Sequence, residues 1–272
     1  MQLKLPDQTL DLTPAKVMGI LNVTPDSFSD GGKYFSIDAA VKRAEEMVAE
    51  GADIIDVGGE STRPGHTPVS AAEELKRVIP VIERIAHIEN FRDRSGKNPR
   101  PYIPVSVDTR HASVAKAAVK AGATIVNCVE ELGSSMAKVV RESGAAVVCR
   151  CRSKEDYDRA VGLVGDKDRV LFDPMIGFGT SRAEDLELMA HIPDFSRFAP
   201  VVAAVSRKRI IGTLAGGDAA SDRLGGSVGA AIWCALNGAA VVRVHDVKET
   251  VQALALVNYM DFTVREKGTA IA

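Results

Sequence analysis

The sequence is poor in cysteine and aromatic residues, and neither sign of charge is in excess. Four cysteines among 272 residues are too few for a disulfide scaffold. Lysine and arginine number 34 against 36 aspartates and glutamates, so the net charge is −2. Because binding to a phosphate backbone depends on a basic excess, this balance argues against a nucleic-acid-binding protein.

Long hydrophobic runs are also missing. No stretch reaches the roughly 18 consecutive apolar residues of a membrane span, and the nearest one, 229–242, is interrupted by Asn237. Residues 1–12 contain Lys4, Asp7 and Asp11 and no apolar core segment, so we do not expect a signal peptide. The expectation is a cytoplasmic chain with reduced thiols and no membrane partner.

The composition is that of a folded globular protein. Hydrophobic residues make up 46% and charged residues 26%, which excludes an intrinsically disordered chain. Neither a linker nor an internal repeat divides the sequence. We therefore predict a single domain over residues 1–272.

Short apolar runs alternate with stretches of helical period along the chain. Gly51, Gly122 and Gly144 directly follow predicted helices, at the position where a left-handed backbone conformation commonly ends a helix. Ser70 with Glu73 has the pattern of a capping box at the start of a helix. The fifth helical segment, 153–165, is short, and a loop there is an open alternative. Strands are predicted at 17–22, 53–57, 103–107, 124–127, 145–149, 169–172, 200–204 and 240–244, and helices near 37–50, 70–88, 111–121, 133–143, 154–163, 182–190, 221–238 and 246–266.

Eight β–α units in about 250 residues close most simply into a (β/α)8 TIM barrel, a member of the α/β class. An open doubly wound sheet is the alternative. The unit count favours the barrel, and no glycine-rich dinucleotide turn follows the first strand.

Unusual polar residues cluster just after the predicted strands, where a barrel places its active site. Cationic side chains there suit a phosphate or pyrophosphate, and carboxylate and amide acceptors suit a heterocycle with amino and ring N–H donors. Asn22 near such carboxylates suits a hard cation such as Mg²⁺. The cations are Arg63, Lys208, Arg243 and His245, and the acceptors are Asp108, Asn127 and Asp173.

No strong pair of nucleophile and base is present among these residues. This pattern favours an enzyme that positions two reactants and neutralises a leaving group over one that uses covalent catalysis.

Six segments resemble the dihydropteroate synthase family, and the resemblance runs from about residue 17 to residue 260. It implies a (β/α)8 barrel, a homodimer, and the Mg²⁺-assisted condensation of 6-hydroxymethyl-7,8-dihydropterin pyrophosphate with 4-aminobenzoate, with which sulfonamides compete. The segments are ILNVTPDSFSDGG at 20–32, GGESTRPG at 58–65, VDTR at 107–110, DPMIGFG at 173–179, SRK at 206–208 and RVHDV at 243–247.

The resemblance also implies roles for individual residues, with loops 23–35 and 58–69 closing over the site. The pterin would be bound by Asp108, Asn127, Asp173, Lys208 and Arg243. The pyrophosphate would be bound by Asn22, Arg243 and His245, with Asn22 also holding the metal. The aminobenzoate would be bound by Thr62, Arg63, Pro64, Phe178, Lys208 and, by its position, Arg209. The catalytic residues would be Lys208, Arg63, Arg243 and His245.

Several positions depart from the family pattern. Residues 149–152 read Cys-Arg-Cys-Arg where the family has a longer segment, so the fifth β–α unit is shortened. The single-residue departures are Thr180 for lysine, Met175 for glycine, Cys128 for aspartate, Ala204 for glycine and Arg209 for serine. They lie in the fifth unit and around the aminobenzoate, and Arg209 would either bind the carboxylate of that substrate or fill its pocket.

Other features keep more than one interpretation. Cys128, Cys149 and Cys151 are structural thiols or, with less support, part of a metal site. Asp56, inside the second strand, is either an internal structural partner or a ligand group. The remaining expectations are a core or interface position for Trp233, a ligand contact or none for His66, solvent or a compensating role for Arg150 and Arg152, and ordinary surface positions for His87, His111 and His191.

Two other functions stay open beside the synthase. A non-catalytic pterin-binding paralogue would keep the pterin pocket and lose the second substrate. A methyltransferase that uses methyltetrahydrofolate with the same barrel fits the first loop and the pyrophosphate residues less well.

Overall fold

A computed structural model describes residues 1–24, 37–60, 68–88, 102–217 and 219–267, with side chains described as far as residue 260. Eight parallel strands form a closed barrel in the order β10-β3-β4-β5-β6-β7-β8-β9. The predicted barrel is confirmed and the open sheet is excluded. The barrel strands are β3 (Lys16–Asn22), β4 (Ile54–Gly58), β5 (Val105–Asp108), β6 (Ile125–Cys128), β7 (Ala146–Arg150), β8 (Val170–Asp173), β9 (Val201–Ala203) and β10 (Ala239–Val244).

Helices surround the barrel, and the eight predicted ones are all present with small shifts at their ends. Two short helices, α7 and α8, were not predicted, because one or two turns carry too little periodicity. The helices are α1 (Ile37–Ala49), α2 (Ala71–Ile85), α3 (Ala112–Lys120), α4 (Ser134–Ser143), α5 (Lys154–Val164), α6 (Arg182–Ala190), α7 (Ile192–Phe195), α8 (Arg209–Ala215), α9 (Leu224–Leu236) and α10 (Val247–Lys267).

An N-terminal hairpin was also missed by the sequence analysis. Its strands, β1 (Gln2–Lys4) and β2 (Thr9–Asp11), pair antiparallel and bring Leu3 opposite Leu10. Both leucines are buried in the same apolar cluster as Met18, Ile54 and Leu171, which line the barrel interior. The hairpin therefore closes the amino-terminal end of the barrel and leaves the opposite end as its mouth.

Strand alternation divides the buried residues into two layers. In β7, Ala146 and Val148 belong to the interior cluster, while Val147 and Cys149 belong to the layer between strands and helices. The same rule turns Asn127 inward and its neighbour Cys128 outward. Polar residues at the inward positions near the strand ends are thus delivered to the mouth.

The three clustered thiols lie in the helix-facing layer. Cys149 Sγ is 3.6 Å from Cys151 Sγ, and Cys128 pairs with Cys149 across β6 and β7. Burial raises the pKa of Cys128 to about 11, which disfavours the thiolate that a metal would need. This packing favours the structural interpretation of the three cysteines.

The shortened fifth unit is a complete helix, so the loop alternative is excluded. Ser153 Oγ accepts a hydrogen bond from the Asp156 N–H at the start of α5, and Gly165 ends the helix with φ +85°. Tyr157 is buried on the inner face, with its ring 6.4 Å from that of Phe172. With 11 residues, α5 is longer than α3, α4 and α6, and caps at both of its ends satisfy terminal backbone groups.

Gly51, Gly122 and Gly144 all have positive φ, as predicted from their places after helices. Ser70 caps α2 by accepting from the Glu73 N–H. None of the described helices combines the length and apolar content required to cross a membrane.

We predict that Ser153→Ala lowers the free energy of unfolding by about 1 kcal/mol, the usual contribution of an N-cap. Urea denaturation followed by circular dichroism measures the change. Ser153→Asp keeps an acceptor at the cap and serves as the control with wild-type stability. Equal stability of all three proteins would show that α5 does not depend on this cap.

Candidate active site

A cavity of about 290 Å³ lies at the mouth of the barrel. Its wall includes residues from β3, β5, β10 and the segments that follow β8 and β9. Seven of the residues expected at the site line this one cavity: Asn22, Asp108, Phe178, Lys208, Arg209, Arg243 and His245. These side chains therefore meet at the carboxyl ends of the barrel strands, where barrel enzymes have their active sites.

Arg243 lies at the centre of the site between two carboxylates. Its Nε donates to Asp56 Oδ2 and its Nη2 donates to Asp108 Oδ2, both at 2.6 Å. Burial works against the charge of Arg243, but Asp56 and Asp108 outweigh it and raise the arginine pKa above its ordinary value. The guanidinium is thus a permanent cation with a fixed orientation.

The contacts of Asp56 favour the role of an internal structural partner over that of a ligand group. It is fully buried, and its Oδ2 also accepts from Asn127 Nδ2 at 3.0 Å. Because the amide nitrogen of Asn127 points at Asp56, its carbonyl oxygen faces the other way as an acceptor. Among the described residues, Asp56 Oδ1 and the neighbouring Ser106 Oγ have no hydrogen-bond partner.

Lys208 follows β9 and reaches back over the segment after β8. Its ammonium donates to the Ile176 carbonyl and lies 4.4 Å from the centroid of the Phe178 ring. Burial lowers the pKa of Lys208 to about 8, although nearby Asp173 favours the charged form. A Cβ on Gly177 would lie 2.7 Å from Lys208 Cδ, and the φ of +80° also favours glycine there.

The acidic groups of the site are also shifted by burial. Desolvation raises the pKa of Asp108 to about 7 against the opposing charge of Arg243. Burial likewise raises the pKa of Asp173, while Lys208 and the Met175 N–H oppose the rise. Both carboxyl groups therefore ionise less readily than a carboxyl group in water.

Met175 has φ +58°, a left-handed conformation that a residue with a side chain adopts at a cost of about 1 kcal/mol. This explains why glycine is the expected residue at the position. Asp173 Oδ1 accepts from the Met175 N–H at 2.7 Å, and the methionine side chain is buried, so local contacts hold the turn.

His245 is oriented by Ser206. The two side chains meet at 3.1 Å between Nδ1 and Oγ, and the His245 N–H also donates to Ser206 Oγ. Arg207, between these elements, pairs with Asp246 at 3.0 Å through its Nε. The SRK and RVHDV segments are therefore tied to each other.

Several expected residues lie outside the described ones: Thr62, Arg63, Pro64, His66 and most of loops 23–35 and 58–69. Arg209 is the first residue of α8 and is exposed at the rim of the cavity. Thr180 donates to the buried Asp185 rather than facing the solvent. Asp185 belongs to none of the sequence motifs, and the one feature that marks it in the sequence is its place in the first turn of a predicted helix.

His111 is not the ordinary surface residue that was expected. It is partly buried, and its Nδ1 lies 2.7 Å from Oε2 of the buried Glu74. Glu60 approaches the same group and pairs with Arg110 at 3.3 Å. Both carboxylates thus have partners, and the cluster ties the segments after β4 and β5 to the start of α2.

The fold and the cavity define a class of protein, a barrel enzyme that binds a small polar ligand among buried cations and carboxylates. The chain matches the model of the pterin binding enzyme family over residues 18–161 and 152–245. The dihydropteroate synthase of Escherichia coli is 39% identical over 274 residues, which covers 92% of this chain and 93% of that protein.

Solved structures agree with this match. A Xanthomonas albilineans dihydropteroate synthase with 4-aminobenzoic acid is 40% identical, with a TM-score of 0.86 over 96% of this chain and 98% of that one. Another structure of that enzyme, with 7,8-dihydropteroate, is 37% identical, with a TM-score of 0.83 over 96% and 99% of the two chains. The chain belongs to the dihydropteroate synthase family of pterin-binding enzymes.

We predict that Asp56→Ala lowers the free energy of unfolding by about 3 kcal/mol, because it leaves Arg243 buried without one of its two counter-charges. Denaturant titration gives the value. Ser106→Ala removes a neighbouring buried hydroxyl that makes no hydrogen bond in the described structure, so it should cost little. Similar losses in both variants would contradict a special role for the ion pair.

Proposed function

We propose that this chain condenses 6-hydroxymethyl-7,8-dihydropterin pyrophosphate with 4-aminobenzoate to give 7,8-dihydropteroate and pyrophosphate in folate biosynthesis. The observation that carries the proposal is the placement of Arg243, Lys208, His245 and Asp108 around one cavity. Membership of the synthase family supports the same reaction.

The pterin is held by the acceptors in and beside the cavity. The carbonyl oxygen of Asn127 and the carboxyl groups of Asp108 and Asp173 accept from the amino and ring N–H groups of the heterocycle. Lys208 and Arg243 supply the donors for its remaining acceptor atoms. Because Asp56 orients both Asn127 and Arg243, the recognition pattern is set before the ligand arrives.

The pyrophosphate end lies toward Asn22, Arg243 and His245, with Arg63 added from the second loop. Asn22 would hold Mg²⁺ with Asp108 nearby, because Asn22 Oδ1 and Asp108 Oδ2 are oxygen ligands that both face the Gly58 backbone, where a Cβ would lie 3.8 Å from each. When bound, the ion neutralises charge on the leaving pyrophosphate. Arg243 and His245 do the same through hydrogen bonds.

The aminobenzoate lies toward Phe178 and Lys208, with Thr62, Arg63 and Pro64 contributed by the second loop. Arg209 at the rim supplies a cation for its carboxylate. The bond to the pyrophosphate oxygen breaks, and the electron-rich pterin carries the cation left at its exocyclic carbon. The aniline nitrogen then attacks that carbon and loses one proton to the released pyrophosphate or to solvent. Residues of the chain orient the two reactants and stabilise the departing charge, without a covalent intermediate.

We further propose that the protein works as a homodimer in the cytoplasm. Large apolar side chains are exposed on two neighbouring helices, Trp233 and Leu236 on α9 and Leu256 and Tyr259 on α10. A second copy covering this face would bury them, as the family resemblance implies. The four cysteines are all free, as in a reducing compartment.

The decisive experiment is pyrophosphate release from the dihydropterin substrate in the presence of Mg²⁺, with and without 4-aminobenzoate. We expect release that requires aminobenzoate and falls at least about a hundredfold in Lys208→Ala, since the variant loses a charged donor next to both substrates. Tight pterin binding by calorimetry without aminobenzoate-dependent release would instead support the non-catalytic paralogue. Methyl transfer from methyltetrahydrofolate would also contradict the proposal.

The ionisation of Lys208 predicts the alkaline limit of the reaction. With a pKa of about 8, the side chain is an ammonium at lower pH and becomes an amine as the pH rises above that value. We therefore expect kcat/KM to fall above about pH 8. In Lys208→Arg the cation persists at high pH. The decline in kcat/KM should therefore begin at a higher pH than in the wild type, even if the variant is less active overall. A decline that begins at the same pH would show that another group causes it.

A further inference from the structure

Asp185 is a buried carboxylate that faces the loop after β8 instead of the solvent. It is 4% exposed, in the first turn of α6. Its Oδ1 accepts from the Gly177 N–H at 2.6 Å and from the Thr180 hydroxyl at 2.5 Å. Burying a carboxylate is costly unless it is hydrogen-bonded. The two hydrogen bonds to Asp185 offset that cost.

The segment that Asp185 holds is the one that surrounds Lys208. Ile176 provides the carbonyl that accepts from the ammonium, Gly177 packs on the aliphatic stem, and Phe178 lies under the charge. Three consecutive residues thus define the position of Lys208. Among the described contacts, the N–H at the middle of the three is bound by Asp185 and Thr180.

Charge adds to this geometry. Lys208 is faced by Asp173 from β8, Asp108 from β5, Arg243 from β10 and Asp185 from α6. The three carboxylates favour the ammonium, whereas Arg243 opposes it. Asp185 therefore acts on Lys208 both through the loop and through its negative charge.

We infer that Asp185, together with Thr180, is a positioning residue that holds residues 176–178 in the shape that seats Lys208 against the substrates. The inference rests on the proposed function for its kinetic consequences but not for its structural ones. The inference also gives Thr180 a role at a position where the family pattern has lysine. The Thr180 hydroxyl accepts from the Gly177 N–H and donates to Asp185.

The test uses four variants of the full-length protein. Asp185→Ala removes the oxygen that accepts both hydrogen bonds, Asp185→Asn keeps an acceptor oxygen and removes the charge, and Thr180→Ala removes one of the two donors. Glu184→Gln, the adjacent residue in the capping box of Ser181, changes the same helix start without touching the loop and is the matched control.

Two readouts separate positioning from simple stability. The first is KM for each substrate against kcat. The second is the titration of Lys208, followed by NMR on protein with labelled lysine side chains and assigned with Lys208→Arg. The second readout needs no turnover, so it reports on Asp185 even if the wild type shows no synthase activity.

We expect Asp185→Ala to raise KM about tenfold, the effect of losing one hydrogen bond to a charged group, and Asp185→Asn to recover most of that loss. Both variants should lower the pKa of Lys208, Thr180→Ala should show a smaller rise in KM, and Glu184→Gln should match the wild type. Wild-type KM and an unmoved Lys208 titration in Asp185→Ala, with only a lower Tm, would overturn the inference.

Discussion

The buried charge of Arg243 is the constraint around which the mouth of the barrel is organised. A guanidinium inside a protein needs counter-charges, and here β4 and β5 each supply a carboxylate at 2.6 Å. One of these carboxylates also orients Asn127. Removing Asp56 would therefore disturb a cation, an amide and, through them, the acceptors available to a ligand.

The polar residues that surround Arg243 reach the barrel mouth from the ends of the strands and from one loop. Strand alternation decides which side chains point into the barrel. The inward ones packed with the N-terminal hairpin are mostly apolar, whereas Asp108, Asn127 and Arg243 lie near the carboxyl ends of their strands. Lys208 is added from beyond β9 and held by the loop after β8. That loop is shaped by Gly177, by Met175 in a left-handed conformation and by a buried carboxylate on α6.

The departures from the family pattern become local adjustments once the contacts are known. Met175 takes a conformation that suits glycine, held by Asp173 and by its own burial. Thr180 bonds to Asp185, and Cys128 packs in the helix-facing layer next to Cys149. The shortened fifth unit still forms a capped helix. Ala204 and Arg209 are departures that line the cavity itself.

The barrel, its eight units and the polar residues at the strand ends could be predicted from the residue pattern, because periodicity and strand-end position are local properties of the chain. The motifs also determined the family. The contacts of the closed barrel were needed to show that Asp56 accepts from Arg243 and Asn127, that His111 pairs with Glu74, and that Asp185 supports the loop around Lys208. The residues of these contacts are separated along the chain by 5 to 187 positions, and no local pattern states which carboxylate a donor will meet once the barrel closes.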